Sequence, residues 1–345
     1  LVGIDTQHIG QGIDGGREYE GQRYLEKLAK EIGADAIVSD PMKEEDIQKA
    51  IEEYGEGNPE HNYENRDNVY ITFNKNQTPT LMFNGHIDTM PPGPLELWDT
   101  PPHEAVVKDN KLFGLGTADM KSGLLASILA VKLLKDSEID FKTNVTISSV
   151  VDEEGGGNGS IQAAQNGPTA DAVVVCEGTD YELILAHMGF VFFRITVEGK
   201  ANHAGEKWKG VSAIEKANNI IQDLKELEHN WLFEYKHPLL PPPNINIGVV
   251  KGGTSGATVA GNCIVEICVH YHPNTMSFKS VNKEITEQIS RTANNDLWLS
   301  KKPPQIEIFQ SGGAFEMEEN SKIVDTFKKS YKDILSNDVK VVGSP

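Results

Sequence analysis

From 122 to 134 the chain reads SGLLASILAVKLL, apolar almost without a break. Such a run is too long for a strand and reads as a helix, one that has to be buried rather than laid on a surface. Its neighbours are strand-like: 68–73 and 80–84 before it, a β-branched alternating run at 144–151 and an apolar run at 171–176 after it. A short helix is read at 161–166, another at 44–54, and a first one from Tyr24, Leu25, Leu28 and Ile32 before Gly33. Residues 55–66 read as an exposed loop. Strands alternating with helices predict an α/β fold, a mostly parallel sheet with helices on both faces.

After His187 the pattern changes. Strands are read at 190–198, 244–251, 263–271 and 305–309, with helices at 211–227 and 279–294. That β-α-β-β-α-β order is the ferredoxin-like α+β arrangement. Charge separates the same span from the rest. Residues 188–311 hold 13 Lys/Arg against 12 Asp/Glu, while the remainder holds 19 against 39. With 345 residues the chain has room for two cores. The expectation is a catalytic domain of 1–187 and 312–345, the latter bearing a helix at 321–335, with 188–311 inserted as a lid. The open sheet of that lid has edges that invite pairing, so a homodimer is expected.

The net charge of −19 argues against nucleic-acid or anionic-membrane partners. No apolar run approaches the ~20 residues of a membrane span. No secretory leader is visible, and the opening Leu1 suggests a start inside a longer chain. Cys176, Cys263 and Cys268 lie in apolar runs without a spaced framework, which suits buried thiols in a cytoplasmic protein.

Four segments carry side chains suited to chemistry. In Gly85-His86-Ile87-Asp88-Thr89 a period of two puts His86 and Asp88 on one face of a strand end. There His86 can bind a metal while Asp88 orients the ring; alone, the pair is more often structural. The loop 114–123, GLGTADMKSG, lacks both phosphate-loop spacings and projects Asp119 at a helix entrance, where an ordinary N-cap is the plain reading. At 152–154 three carboxylates, Asp152, Glu153 and Glu154, follow an apolar strand, and adjacent carboxylates repel unless a cation or shared proton relieves them. Glu154 can then ligate a metal while Glu153 takes a proton from a metal-bound water. The fourth segment, Cys176-Glu177-Gly178-Thr179-Asp180, is another strand end with carboxylates. Four strand ends in one parallel sheet converge on one edge and describe a carboxylate-rich dinuclear zinc site.

GHIDT, GLGTADMKSG, DEEGGGNGS and CEGTD occur here in the order and approximate spacing of a family of zinc hydrolases. The chain, from about residue 20 to its end, resembles acetylornithine deacetylase, succinyl-diaminopimelate desuccinylase, aminoacylase and the glutamate carboxypeptidases. The resemblance implies two zinc ions per subunit, with cobalt or manganese as substitutes. His86 and Glu177 complete one zinc, Asp119 bridges both and Glu154 binds the second; Asp180 competes for the role of Glu177. Glu153 is then general base and acid, Asp88 steadies His86, and the Asp119-Met120 peptide is cis. In Gly199-Lys200-Ala201-Asn202-His203-Ala204-Gly205, His203 matches the residue that stabilises the oxyanion, often from the partner subunit. Asn246 and the turn 252–256 match a substrate-facing strand and loop.

Two departures stand out. Many relatives carry an Arg before the second lid helix to hold a substrate carboxylate; here the strand reads CVHYH, which leaves either His270 as a weak substitute or a substrate without that carboxylate. The second zinc takes a C-terminal His in the family, yet no His follows His272, so a segment beyond Pro345 is expected to supply it. The expected activity is removal of an acyl group from the nitrogen of a small amino-acid-type substrate. A dipeptidase or carboxypeptidase, and a non-catalytic binding protein on the same scaffold, are the alternatives.

Overall fold

The first unit of the fold, Leu1–Asp180, is built on a five-stranded sheet; Tyr181–Pro345 forms the second unit of this computed structural model, which describes residues 1–345. Along the first unit run α1 (Tyr19–Ile32), β1 (Ala36–Pro41), α2 (Glu44–Tyr54), β2 (Asp67–Phe73), β3 (Thr80–His86), α3 (Ser122–Asp136), β4 (Asn144–Val150), α4 (Asn158–Asn166) and β5 (Ala172–Val175). In space the strands lie β1-β2-β4-β3-β5. β3 pairs in parallel with β4 and β5, while β2 is antiparallel to both its neighbours. The sheet is therefore mostly parallel in strand direction, with β2 alone reversed. β1 has no counterpart in the sequence reading: it is a half-exposed edge strand without clean alternation, and it ends on Pro41, which an edge tolerates.

Alternation along β2 shows the helices on both faces. Phe73 lies under the Lys135 ammonium at the end of α3, whereas Asn68, on the opposite face, donates to the Gly159 carbonyl of α4 at 2.8 Å. Leu124, Ile128 and Val131 of α3 are buried with Val145 and Ile147 of β4 and Leu25 of α1. The apolar run of α3 is not buried on every side, since Leu129 and Leu133 are exposed. Because β3, β4 and β5 are parallel neighbours, the residues that follow His86, Val150 and Val175 leave the sheet along one edge.

The second unit comprises β6 (Leu183–His187), β7 (Gly189–Glu198), α5 (Ala213–Glu234), β8 (Asn244–Gly252), β9 (Asn262–Tyr271), α6 (Phe278–Asn294), β10 (Gln305–Gly312), β11 (Phe315–Glu316), α7 (Lys322–Leu335) and β12 (Val341–Ser344). β8-β9-β7-β10 form an antiparallel sheet in the ferredoxin-like order. Val191, Phe193, Ile195 and Val197 alternate along β7 into a core shared with Ile220 and Leu224 of α5 and Ile285 and Ile289 of α6. α5 continues past the expected 227 because Trp231 is buried too, its indole N–H donating to Glu284 at 2.7 Å. Segments 181–187 and 312–345 group with this second unit, where β6 pairs with β11 and β12 in a separate sheet. No helix is long and apolar enough to cross a membrane.

Candidate metal centre

His86 closes β3, and its ring is buried. Nδ1 lies 3.0 Å from the Asp88 carbonyl and 3.4 Å from Asp88 Oδ1. Nε2 faces carboxylates: Asp119 Oδ1 at 2.8 Å, Glu177 Oε2 at 3.6 Å and Glu153 Oε2 at 3.8 Å. His86, Asp119 and Glu154 each offer an atom within 4.8 Å of the others. That is close to the span of donors held at about 2.0–2.2 Å around one ion. Glu177 stands beside the same ring; Asp180, the competing candidate, is exposed on a left-handed backbone at φ 51° and makes no ion pair with His86.

Local structure explains the convergence. Asp88 is fully buried and accepts the backbone N–H of Glu153 at 3.2 Å and of Glu154 at 3.0 Å, so the end of β3 seizes the turn that follows β4. Glu154 Oε1 in turn accepts the Met90 N–H at 3.2 Å. Asp119 comes from the loop before α3, where the Asp119–Met120 peptide is cis and Met120 is buried, its sulfur 3.2 Å from the His86 N–H. Asp119 is no N-cap: α3 starts three residues later, at Ser122. A Cβ on Gly123 would stand 1.9 Å from the Cys176 carbonyl oxygen, so only glycine lets the start of α3 approach the segment that carries Glu177.

Electrostatics favour a cation here. Burial opposes charge on the His86 ring, yet the carboxylates of Asp119, Asp88 and Glu177 outweigh it and raise its pKa. Contact with His86 lowers that of Asp119. For Asp88 burial pulls upward, but His86 and the two amides win and hold it low. Burial raises the carboxyl of Glu153, and burial together with the charge of Asp119 pushes Glu154 up to about 7. Five carboxylates around a single imidazole leave a surplus of negative charge that a divalent ion would neutralise.

The remaining candidates lie in the second unit. His203 is exposed, in a two-residue strand paired with Thr258–Val259, and its Nδ1 accepts from the Gly205 N–H at 3.1 Å. Asn246 is exposed on the edge strand β8, opposite Cys268; His270 is half-buried on β9, opposite Asn244, and burial lowers its pKa. Both face away from the apolar core side of the sheet. A cleft of about 640 Å³ next to the His203 turn is lined by Lys207, Ser212, Thr254 and Ser255 among others.

The sequence reading missed the residues behind the carboxylates. Arg66 closes a stretch read as exposed loop, but it is fully buried and bound to Glu18 and Asp152. Lys121, two residues after Asp119 in sequence, is buried and donates to the Ile4 carbonyl at 3.0 Å; burial lowers its pKa to about 8.

Residues 82–345 match the profile of peptidase family M20/M25/M40. The N-formyl-4-amino-5-aminomethyl-2-methylpyrimidine deformylase of Halalkalibacterium halodurans is 33% identical over 285 residues, 76% of this chain and 66% of that protein. The acetylornithine deacetylase of Vibrio parahaemolyticus is 30% identical over 231 residues, 66% of this chain and 58% of that protein. The chain thus spans 66% or less of the length of these relatives. Among solved structures, a tripeptidase from Staphylococcus aureus covers 100% of this chain and 82% of its own with a TM-score of 0.72 at 19% identity, a likeness of fold.

Proposed function

The chain belongs to peptidase family M20/M25/M40, and from that premise we propose that it hydrolyses an amide bond, releasing an acyl group from the nitrogen of a small amino-acid-type substrate. The observation that carries the reading is the meeting of His86, Asp119 and Glu154 within 4.8 Å, with Glu153 3.8 Å from the same ring. The two curated relatives bear the names of a deformylase and a deacetylase, which favours acyl removal over peptide cleavage.

His86, Asp119, Glu154 and Glu177 would hold the metal, taken as zinc, in two ions per subunit. When bound, it acidifies water and polarises the amide carbonyl. Asp88 accepts from the Nδ1 side of His86, which leaves the Nε2 lone pair for a metal. Glu153 has its carboxyl raised by burial; it takes the proton of the attacking water and returns it to the leaving amine. His203 would donate to the developing oxyanion, and Asn246 and His270 would contact the substrate. Chemistry is assigned to 1–187 with 312–345, and pairing of two copies to 188–311.

A panel of N-formyl, N-acetyl and N-succinyl amino acids and dipeptides, assayed with zinc-loaded protein, tests this. An N-acyl substrate should exceed every dipeptide by ~10-fold or more in kcat/KM. Faster dipeptide cleavage, or no turnover at all, would sink the reading.

The role of His203 has its own test. Chains carrying His203→Ala mixed with chains carrying Glu153→Gln should regain one working site per heterodimer, although each parent is inactive. A verified heterodimer without activity would place His203 in its own subunit's site or in none.

A further inference from the structure

Asp152 opens the carboxylate triplet, and the mechanism above gives it no part. Its side chain is fully buried, and its backbone sits at φ 59°, in the left-handed region where a residue with a Cβ is strained. Strain of that kind persists only when the surroundings hold it. The hold on Asp152 comes from behind the metal centre. Oδ2 lies 2.7 Å from His61 Nδ1, a contact that puts the proton on that nitrogen, and Oδ1 accepts from Arg66 Nη2 at 2.9 Å. Arg66 in turn grips Glu18, the residue before α1, through Nε at 3.0 and 3.1 Å and through Nη2 at 2.5 Å. Arg66 and Glu18 are as fully buried as Asp152. Backbone closes over the cluster: a Cβ at Gly12 would stand 2.5 Å from Asp152 Oδ1, and one at Gly155 the same distance from it.

We propose that Asp152, Arg66 and His61 are positioning residues that aim Glu153 and Glu154 at the metal centre, an inference resting on the metal-hydrolase reading above. In extended chain, successive side chains point to opposite faces. Glu153 and Glu154 are successive, yet both belong beside His86. The chain leaves the strand through the left-handed Asp152 into a turn at 153–156, where the alternation no longer holds, and the Asp88 carboxylate collects both amides from the site side. Asp152 pins the same turn from the other side, with its carbonyl also accepting the Gly157 N–H at 3.1 Å. Glu18 keeps the guanidinium of Arg66 from swinging, because a buried charge held by two carboxylates has no cheaper arrangement.

Two variants separate anchoring from mere backbone shape. Asp152→Gly accepts the left-handed backbone without strain but deletes the anchor. Asp152→Asn keeps both contacts, since its amide can accept from Arg66 and donate to the other tautomer of His61. In metal-free Asp152→Gly, hydrogen exchange of the 153–157 amides should quicken by ~10-fold or more while β4 exchanges as in the parent. Its zinc affinity, measured by competition with a chromophoric chelator, should fall ~10–100-fold. On a turned-over substrate kcat should fall by a similar factor with KM within about twofold, and Asp152→Asn should recover most of each loss. Parental exchange and zinc affinity in Asp152→Gly would overturn the proposal, as would an Asp152→Asn protein as damaged as the glycine variant. Should the glycine variant not fold, His61→Leu, which removes one anchor, is read in its place against the same outcomes. If the parent protein binds no zinc, the hydrolase reading fails on its own, and exchange in the metal-free protein still decides the positioning role.

Discussion

Glu153→Gln is expected to keep the metal content of the parent and to lose turnover by about 10²–10⁴-fold, the range general acid–base groups supply. The residue stands 3.8 Å from His86 Nε2, close enough to serve the centre, while the three ligand atoms that lie within 4.8 Å of one another come from His86, Asp119 and Glu154. Glutamine preserves the shape of the side chain and the backbone N–H that Asp88 accepts at 3.2 Å, so the turn should stay in place. What it removes is the ability to take up and return a proton. Zinc content by elemental analysis and kcat on the best N-acyl substrate form the paired measurement. A near-native kcat would remove Glu153 from the mechanism; loss of zinc with activity would instead make it a ligand.

Much of this centre was legible because its parts sit at strand ends. A period of two and a shared strand direction are enough to bring His86, the 152–154 triplet and Glu177 to one edge once β3, β4 and β5 are known to be parallel neighbours. The ferredoxin-like order of the second unit was legible for the same reason, since β7 alternates cleanly into its core. What escaped was long-range and polar. Arg66 meets Glu18 across 48 positions and Asp152 across 86, and His61 meets Asp152 across 91, so no local periodicity marks them. The stretch around Arg66 is polar enough to pass for a solvated loop, and only the folded partners show why a guanidinium is buried there. β1, β6 and β12 were unread because they are short and half-buried, with membership settled by pairing rather than by pattern. Such elements depend on neighbours that a sequence window does not contain.

Asp119→Ala is expected to be the most informative ligand substitution, because its effects on metal and on fold can be separated. His86 is buried, so truncating it would open a cavity and blur the two. The Asp119 side chain is 61% exposed, and its removal costs little packing. It also removes the nearest carboxylate from His86 Nε2, at 2.8 Å, and the charge that, after burial itself, does most to raise Glu154. The metal-free variant should be only modestly less stable than the metal-free parent, since the contact with His86 is lost while one carboxylate leaves a crowded site. With zinc the gap should widen. A ligand that binds only the folded state stabilises it by about 2.7 kcal/mol at a hundredfold excess over its Kd, and the parent should show this as a rise in Tm. In Asp119→Ala the rise should vanish, zinc stoichiometry should fall, and activity should drop by ~10³-fold or more, because a lost ligand removes the metal's whole contribution to the barrier. Thermal melts with and without zinc, read beside stoichiometry and rate, test all three together. A variant that kept the zinc-dependent rise and the parental stoichiometry would show that the carboxylate 2.8 Å from His86 is a hydrogen-bond partner of the ring and no part of a metal site.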